Sequence, residues 1–129
     1  SMREAWAAAQ AEGKTIGYGG AVETVRSYLK TTGYPMEQMH FVAGDVLQTI
    51  PATLPDAIAI LRLDTDWYKS TRHELTYMYD LLSPGGVMII DDYGWCQGAR
   101  QATDEFFAAR DFKPLLQRLN QGARLLIKP

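Results

Sequence analysis

Apolar residues recur at helical spacing in some stretches of this chain and form short continuous runs in others, and the two patterns take turns from end to end. Arg3 to Glu12 (REAWAAAQAE) is alanine-rich and predicts a helix ending at Gly13, where a C-terminal cap favours glycine. From Ala21 to Thr32, Val22, Val25 and Leu29 mark one face of an amphipathic helix that Gly33 and Pro35 stop. Met39 to Ala43 predicts a short strand. Gly44-Asp45 then turns into a helical stretch, Val46 to Ile50, with Asp45 and Gln48 as a capping box. Ala57 to Leu63 is an apolar run of strand length, apolar on both faces. Thr71 and Glu74 predict a second capping box, followed by an apolar face at Leu75, Met78 and Leu82. Ser83-Pro84-Gly85-Gly86 reads as a turn before the strand Val87 to Ile90, and a helix over about Gly98 to Arg110 should bury Ala99, Ala102, Phe106 and Ala109. Leu115 to Leu119 and Arg124 to Lys128 close the chain as a hairpin around Asn120-Gln121-Gly122-Ala123. Helix and strand alternating in this way predict an α/β fold with a mainly parallel sheet and an antiparallel end.

With 129 residues, 47% of them hydrophobic, the chain has room for one domain, 3–129, once Ser1-Met2 is set aside as an expression scar. A net charge of −2 without a basic run argues against a nucleic-acid partner and for a small or neutral one. The apolar runs are too short to span a membrane, and nothing resembles a signal peptide. The lone Cys96 fits a reducing, cytoplasmic setting. The glycines of Gly13 to Gly20 (GKTIGYGG) do not make a phosphate loop: a Walker pattern would need glycine where Ala8 stands, and the dinucleotide pattern fails at Val22.

The chemistry is concentrated where two apolar runs end. Ala57 to Asp66 (AIAILRLDTD) and Val87 to Asp92 (VMIIDD) both finish in carboxylates, and in open α/β sheets ligands bind beyond the carboxyl ends of the strands. Asp64, Asp66, Asp91 and Asp92 would therefore meet at one end of the sheet, a composition that suits a hard divalent cation and a base. In an extended segment Asp64 and Asp66 point the same way; Asp91 and Asp92 converge only if the backbone turns. Helix cap or solvated loop end is the ordinary role of any one such acid.

The blocks LRLDTDWYKSTRHEL and LLSPGGVMIIDDYGWCQGARQATDEFF, with TTGYPMEQMHFVAGDVLQTIP upstream, resemble the macrocin O-methyltransferase family, metal-dependent enzymes that use S-adenosylmethionine to methylate sugar hydroxyls on natural products. The match runs from about Gly20 to the C-terminus and is similar in arrangement to catechol O-methyltransferase. The resemblance implies a class I methyltransferase (Rossmann-like), doubly wound sheet, truncated here to its C-terminal half, because family members are about twice as long and carry the first strand, the cofactor loop and the ribose acid upstream. It makes Asp64, Asp91 and Asp92 ligands of Mg²⁺ or Mn²⁺ and Asp66 the base. Asp45, at the end of the third family strand, is then the residue that approaches the adenine.

Trp67, Tyr68, Tyr93 and Trp95 border the acids and could pack on an acceptor sugar or cover the sheet end as core. His73 reads as a solvated helix residue. Two other classes stay open: a DxD phosphatase or glycosyltransferase, and a non-catalytic fragment that self-associates. The open edge left beside Ala57 to Leu63 predicts a homodimer or strand-exchanged assembly.

Overall fold

A computed structural model describes residues 22–110 and 112–129, in two units divided between Ala43 and Gly44. The helix expected over Arg3 to Glu12 and the loop Gly13 to Gly20 lie outside the described residues.

In the first unit, helix α1 spans Val22–Lys30, with Glu23 in its first turn and Lys30 in its last, the polarity that the helix dipole favours. Gly33, at φ 74°, takes the left-handed conformation that ends helices. Met39 to Ala43 is not a strand. Extended backbone becomes one only through ladder bonding to a neighbour, and these residues make no such ladder among the described residues.

The second unit begins with Asp45, whose Oδ1 accepts a hydrogen bond from Leu47 N at 2.9 Å and so caps the short helix α2, Val46–Thr49. The expected reciprocal box with Gln48 reduces to this one-sided cap. Strand β1 (Ile58–Leu63) leads through the acidic turn to helix α3 (Tyr68–Met78), a 3-10 turn (Tyr79–Leu81) and strand β2 (Leu82–Ile90). Helix α4 (Gln97–Ala108) and strands β3 (Gln117–Arg118) and β4 (Arg124–Ile127) complete it. The sheet order is β1-β2-β4-β3, with β1 and β2 parallel and the other two pairings antiparallel, so its parallel part, among the described residues, is the pair that carries the acids.

Side chains alternate across the sheet and, among the described residues, one face is closed. Leu61, Met88 and Leu126 form a row across three strands and are all buried, in one cluster with Leu75, Tyr79, and Phe106 and Phe107 of α4. Ile60, Val87 and Ile127 form the opposite row, and Ile60 is 69% exposed. Of the two apolar faces of β1, the one with Leu61 and Leu63 is buried and the one with Ile60 is exposed.

Four further expectations change. Ser83-Pro84-Gly85-Gly86 lies within β2 as an irregularity: Ile58 pairs with Leu82 and Ile60 with Val87, so the extra residues bulge out, Gly85 adopting φ 77°. Leu82 belongs to that strand rather than to the helix before it. Helix α3 starts at Tyr68, with Trp67 as an N-cap that offers no side-chain bond, so Thr71 and Glu74 lie inside the helix and buried instead of forming a box. Ala109 is exposed as the C-cap of α4, while Thr103 and Phe107 take its expected place in the core.

Where the chain ends, Asn120 Oδ1 accepts from Gly122 N at 2.8 Å and Ala123 N at 2.7 Å, closing the β3–β4 turn. Lys128 Nζ donates to the carbonyls of Tyr79, Asp80 and Leu82, satisfying oxygens of the 3-10 turn and the start of β2. Among the described residues no helix is long and apolar enough to cross a membrane.

Candidate active site

Parallel pairing puts the ends of β1 and β2 side by side: Leu63 pairs with Ile90, and Asp91 N donates to Leu63 O at 2.9 Å. Beyond that line both backbones turn. Trp67 N donates to Thr65 O at 2.6 Å, a three-residue turn with Asp66 at its centre and φ 61°, a left-handed value that few side chains other than asparagine and aspartate tolerate. After Ile90 the chain turns at Asp91-Asp92, and Trp95 N and Cys96 N both donate to Asp92 O, at 3.1 and 2.8 Å.

These two turns sort the acids into two groups that share Asp92. Carboxylate oxygens of Asp64, Asp91 and Asp92 all lie within 4.8 Å of one another, as do an oxygen of Asp66, an oxygen of Asp92 and the Cys96 sulfur. The Asp91-Asp92 turn on which convergence depended is present. Asp66, by contrast, does not follow Asp64: its backbone reversal carries it towards Asp92 and Cys96.

Asp92 is the most perturbed of the acids. Burial, the adjacent Asp66 carboxyl, and the charges of Asp64 and Asp91 push its pKa up to about 7. Its Oδ2 is buried and has no hydrogen-bond partner. Arg62 supplies the cation here, its terminal nitrogen 3.0 Å from both Asp64 Oδ2 and Asp91 Oδ1, but all three side chains are partly in solvent and such pairs stabilise little. The Cys96 thiol is pushed up by burial first and then by Asp66 and Asp92, the opposite of what a reactive cysteine needs.

A hard divalent ion fits this donor set. Oxygens at about 2.1 Å from one ion lie about 3 Å apart when adjacent and about 4.2 Å when opposite, so the Asp64-Asp91-Asp92 oxygens, all within 4.8 Å of one another, would draw inwards to hold it, and the orphaned Asp92 oxygen would gain a partner. Carboxylates without sulfur favour Mg²⁺ or Mn²⁺; the group containing Cys96 is softer.

Two residues to which the sequence assigns no part in the site support the turn. Buried Glu74 accepts from Thr65 Oγ1 at 2.8 Å, with burial raising its pKa, and Ser70 Oγ donates to the Thr65 and Trp67 carbonyls. The signal for Glu74 was an acid nearly two turns into α3, beside the apolar position Leu75. His73 is half-buried, with Nε2 2.8 Å from Ile50 O, rather than solvated. Asp45 is committed through Oδ1 to its cap.

The aromatic residues divide. Trp95, 68% exposed, borders a cavity of about 580 Å³ with Gly94, Gln97, Arg100, Gln101 and Asp104. Trp67 is 48% exposed at the start of α3. The Tyr68 hydroxyl donates to Glu105 Oε2 at 2.6 Å, tying α3 to α4, and its ring borders a cavity of about 410 Å³ with Arg72 and Tyr77. The Tyr93 hydroxyl donates to Asp104 Oδ1 at 2.7 Å.

The fold is of the O-methyltransferase type: the solved O-methyltransferase NovP superposes with a TM-score of 0.77 at 33% identity over 82% of this chain and 44% of its own. The chain belongs to the macrocin O-methyltransferase (TylF) family, which it matches over residues 18–125. It is 38% identical over 89 residues to demethyldecarbamoylnovobiocin O-methyltransferase of Streptomyces niveus, covering 69% of this chain and 34% of that protein. It is 36% identical over 86 residues to mycinamicin III 3''-O-methyltransferase of Micromonospora griseorubida, covering 67% and 34%. The chain thus spans about a third of the length of the curated relatives it matches. The apo structure of CalS11, a TDP-rhamnose 3'-O-methyltransferase, shares the fold at a TM-score of 0.64 and 20% identity, covering 90% of this chain and 55% of its own.

Proposed function

We propose that this chain carries the metal and base residues of an S-adenosylmethionine-dependent O-methyltransferase acting on a hydroxyl of a sugar or related natural product. The observation that carries the reading is the three-carboxylate group at the ends of β1 and β2, with its unpartnered buried Asp92 oxygen, in a chain of this family. Asp64, Asp91 and Asp92 hold Mg²⁺ or Mn²⁺, which when bound lowers the pKa of a nearby acceptor hydroxyl. Asp66 stands beside that group and takes the hydroxyl proton. S-adenosylmethionine supplies the methyl group when bound, with Asp45 as a contact towards its adenine. Trp95 and Trp67 offer exposed aromatic faces to the acceptor ring. In an enzyme of full family length carrying this chain, Asp66→Asn should keep Mn²⁺ affinity and lower turnover by about 10²-fold or more, the usual scale for losing a general base. Unchanged turnover would remove Asp66 from the mechanism, and loss of Mn²⁺ affinity would make it a ligand instead.

We also infer self-association. Strand β1 ends the sheet with β2 as its one ladder partner among the described residues, and its exposed Ile60 borders that free edge. A homodimer or strand-exchanged assembly would pair the edge. Light scattering at tens of micromolar should report a mass above the monomer; a monomer at that concentration would rule the edge out as an interface.

A further inference from the structure

The loop that follows β2 contains two of the proposed metal ligands, and its far side is held by residues outside the acid cluster. Gly94 N donates to Gly122 O at 2.7 Å. Arg100, on α4, donates through Nε to Tyr93 O at 3.0 Å and through its terminal nitrogen to Gly94 O at 3.4 Å. The Tyr93 ring has the Arg100 and Arg124 guanidinium groups each 5.4 Å from its centre, and its hydroxyl is bonded to Asp104. Arg124 in turn donates to the carbonyls of Asn120, Gly122 and Ala123, and Asn120 Oδ1 accepts from the Gly122 and Ala123 amides.

The approach of loop and turn is closer than ordinary side chains permit. A Cβ added at Gly94 would collide with the Gln121 carbonyl, and one at Gly122 would collide with the Trp95 indole and lie 3.0 Å from the Asp91 carbonyl oxygen. Gly122 therefore lies against the backbone of a ligand residue, and Asn120 fixes where Gly122 sits.

We propose that the Asn120–Ala123 turn, acting through Gly94 and Tyr93, is a positioning element that sets the Asp91 and Asp92 carboxylates for divalent metal. Tyr93, expected from sequence to line the acceptor site, is thereby a positioning residue. The chemical reason is that carboxylates on a free loop would spread apart by mutual repulsion, and the entropy of drawing them together would be subtracted from the binding of the ion. A loop bonded on its far side by Arg100 and the turn is already gathered. Outer partners of metal ligands elsewhere change affinity by about 10–100-fold.

This inference rests on the metal reading above, and Mn²⁺ titration followed by electron paramagnetic resonance tests the two separately. Asn120→Ala should weaken Mn²⁺ by about 10-fold, at a temperature where circular dichroism shows the variant folded. Asn120→Ser, which restores a neutral acceptor for the same amides, should recover most of that loss. Tyr93→Phe, which keeps the ring and removes the bond to Asp104, should lose affinity in the same direction and by less. A purely structural turn would change the melting temperature and leave the Mn²⁺ affinity of folded protein alone. Wild-type affinity in both Asn120→Ala and Tyr93→Phe, or a serine variant no better than alanine, overturns the positioning role while the metal site stands. A wild-type chain that binds no Mn²⁺ overturns both.

Discussion

Asp92→Asn should weaken Mn²⁺ or Mg²⁺ binding by more than about 10²-fold, beyond the range of outer partners, and at the same time make the metal-free protein more stable at neutral pH. Both effects come from one carboxyl. Its folded pKa of about 7 is above the ordinary value of 3.8, so the folded state keeps a proton that the unfolded chain gives up. Stability of the metal-free protein should therefore be highest near pH 4, fall as pH rises towards 7 and level off above it. One pKa unit is worth about 1.4 kcal/mol, and contact with solvent at the rim of the cluster reduces the total fall to about 2 kcal/mol. Metal affinity should run the other way, increasing with pH to a plateau above about 7, because the ion takes the ionised form. Thermal melts from pH 4 to 8, with and without Mn²⁺, measure both trends. In the Asp92→Asn variant the decline should disappear along with the metal-induced shift; a decline that survives the substitution would place the responsible proton on another group.

Phe107→Ala should cost about 3–5 kcal/mol, as truncation of a large buried aromatic generally does. The ring is 5% exposed and meets three others edge-on, Tyr79 at 5.2 Å, Phe106 at 5.1 Å and Phe112 at 5.8 Å between centres. These join the 3-10 turn after α3, α4 and the segment after α4, so the cavity would open where several elements meet. For a domain of ordinary stability that is a large part of what it has. Urea unfolding monitored by circular dichroism should show the midpoint collapse, and a loss under about 1 kcal/mol would mean that the rings repack.

Phe107 also shows where sequence reading stops. Spacing of three and four along α4 picks out Ala99, Ala102, Phe106 and Ala109, a narrow stripe, whereas a helix lying against a sheet and another helix buries the wider arc that takes in Thr103 and Phe107. Strand ends were readable because an apolar run that stops at two acids has few explanations. The direction of each acid was not, since it depends on turns: the reversal at Asp66 has no composition signal, and it starts α3 early enough to turn an expected capping box into the buried Thr71 and Glu74. Met39 to Ala43 had the composition of a strand, but a ladder needs a neighbour that no local pattern specifies.

The left-handed backbone at Asp66 bears on how this site can be lost. Asparagine tolerates that conformation as aspartate does, and glycine adopts it without strain, so the substitutions easiest on the fold are those that delete the proposed base. Selection for folding alone would let this position drift to asparagine or glycine, at no cost in solubility or yield. Inactive copies of such an enzyme would then be structurally silent, and abundance in a cell would say nothing about whether the chemistry survives.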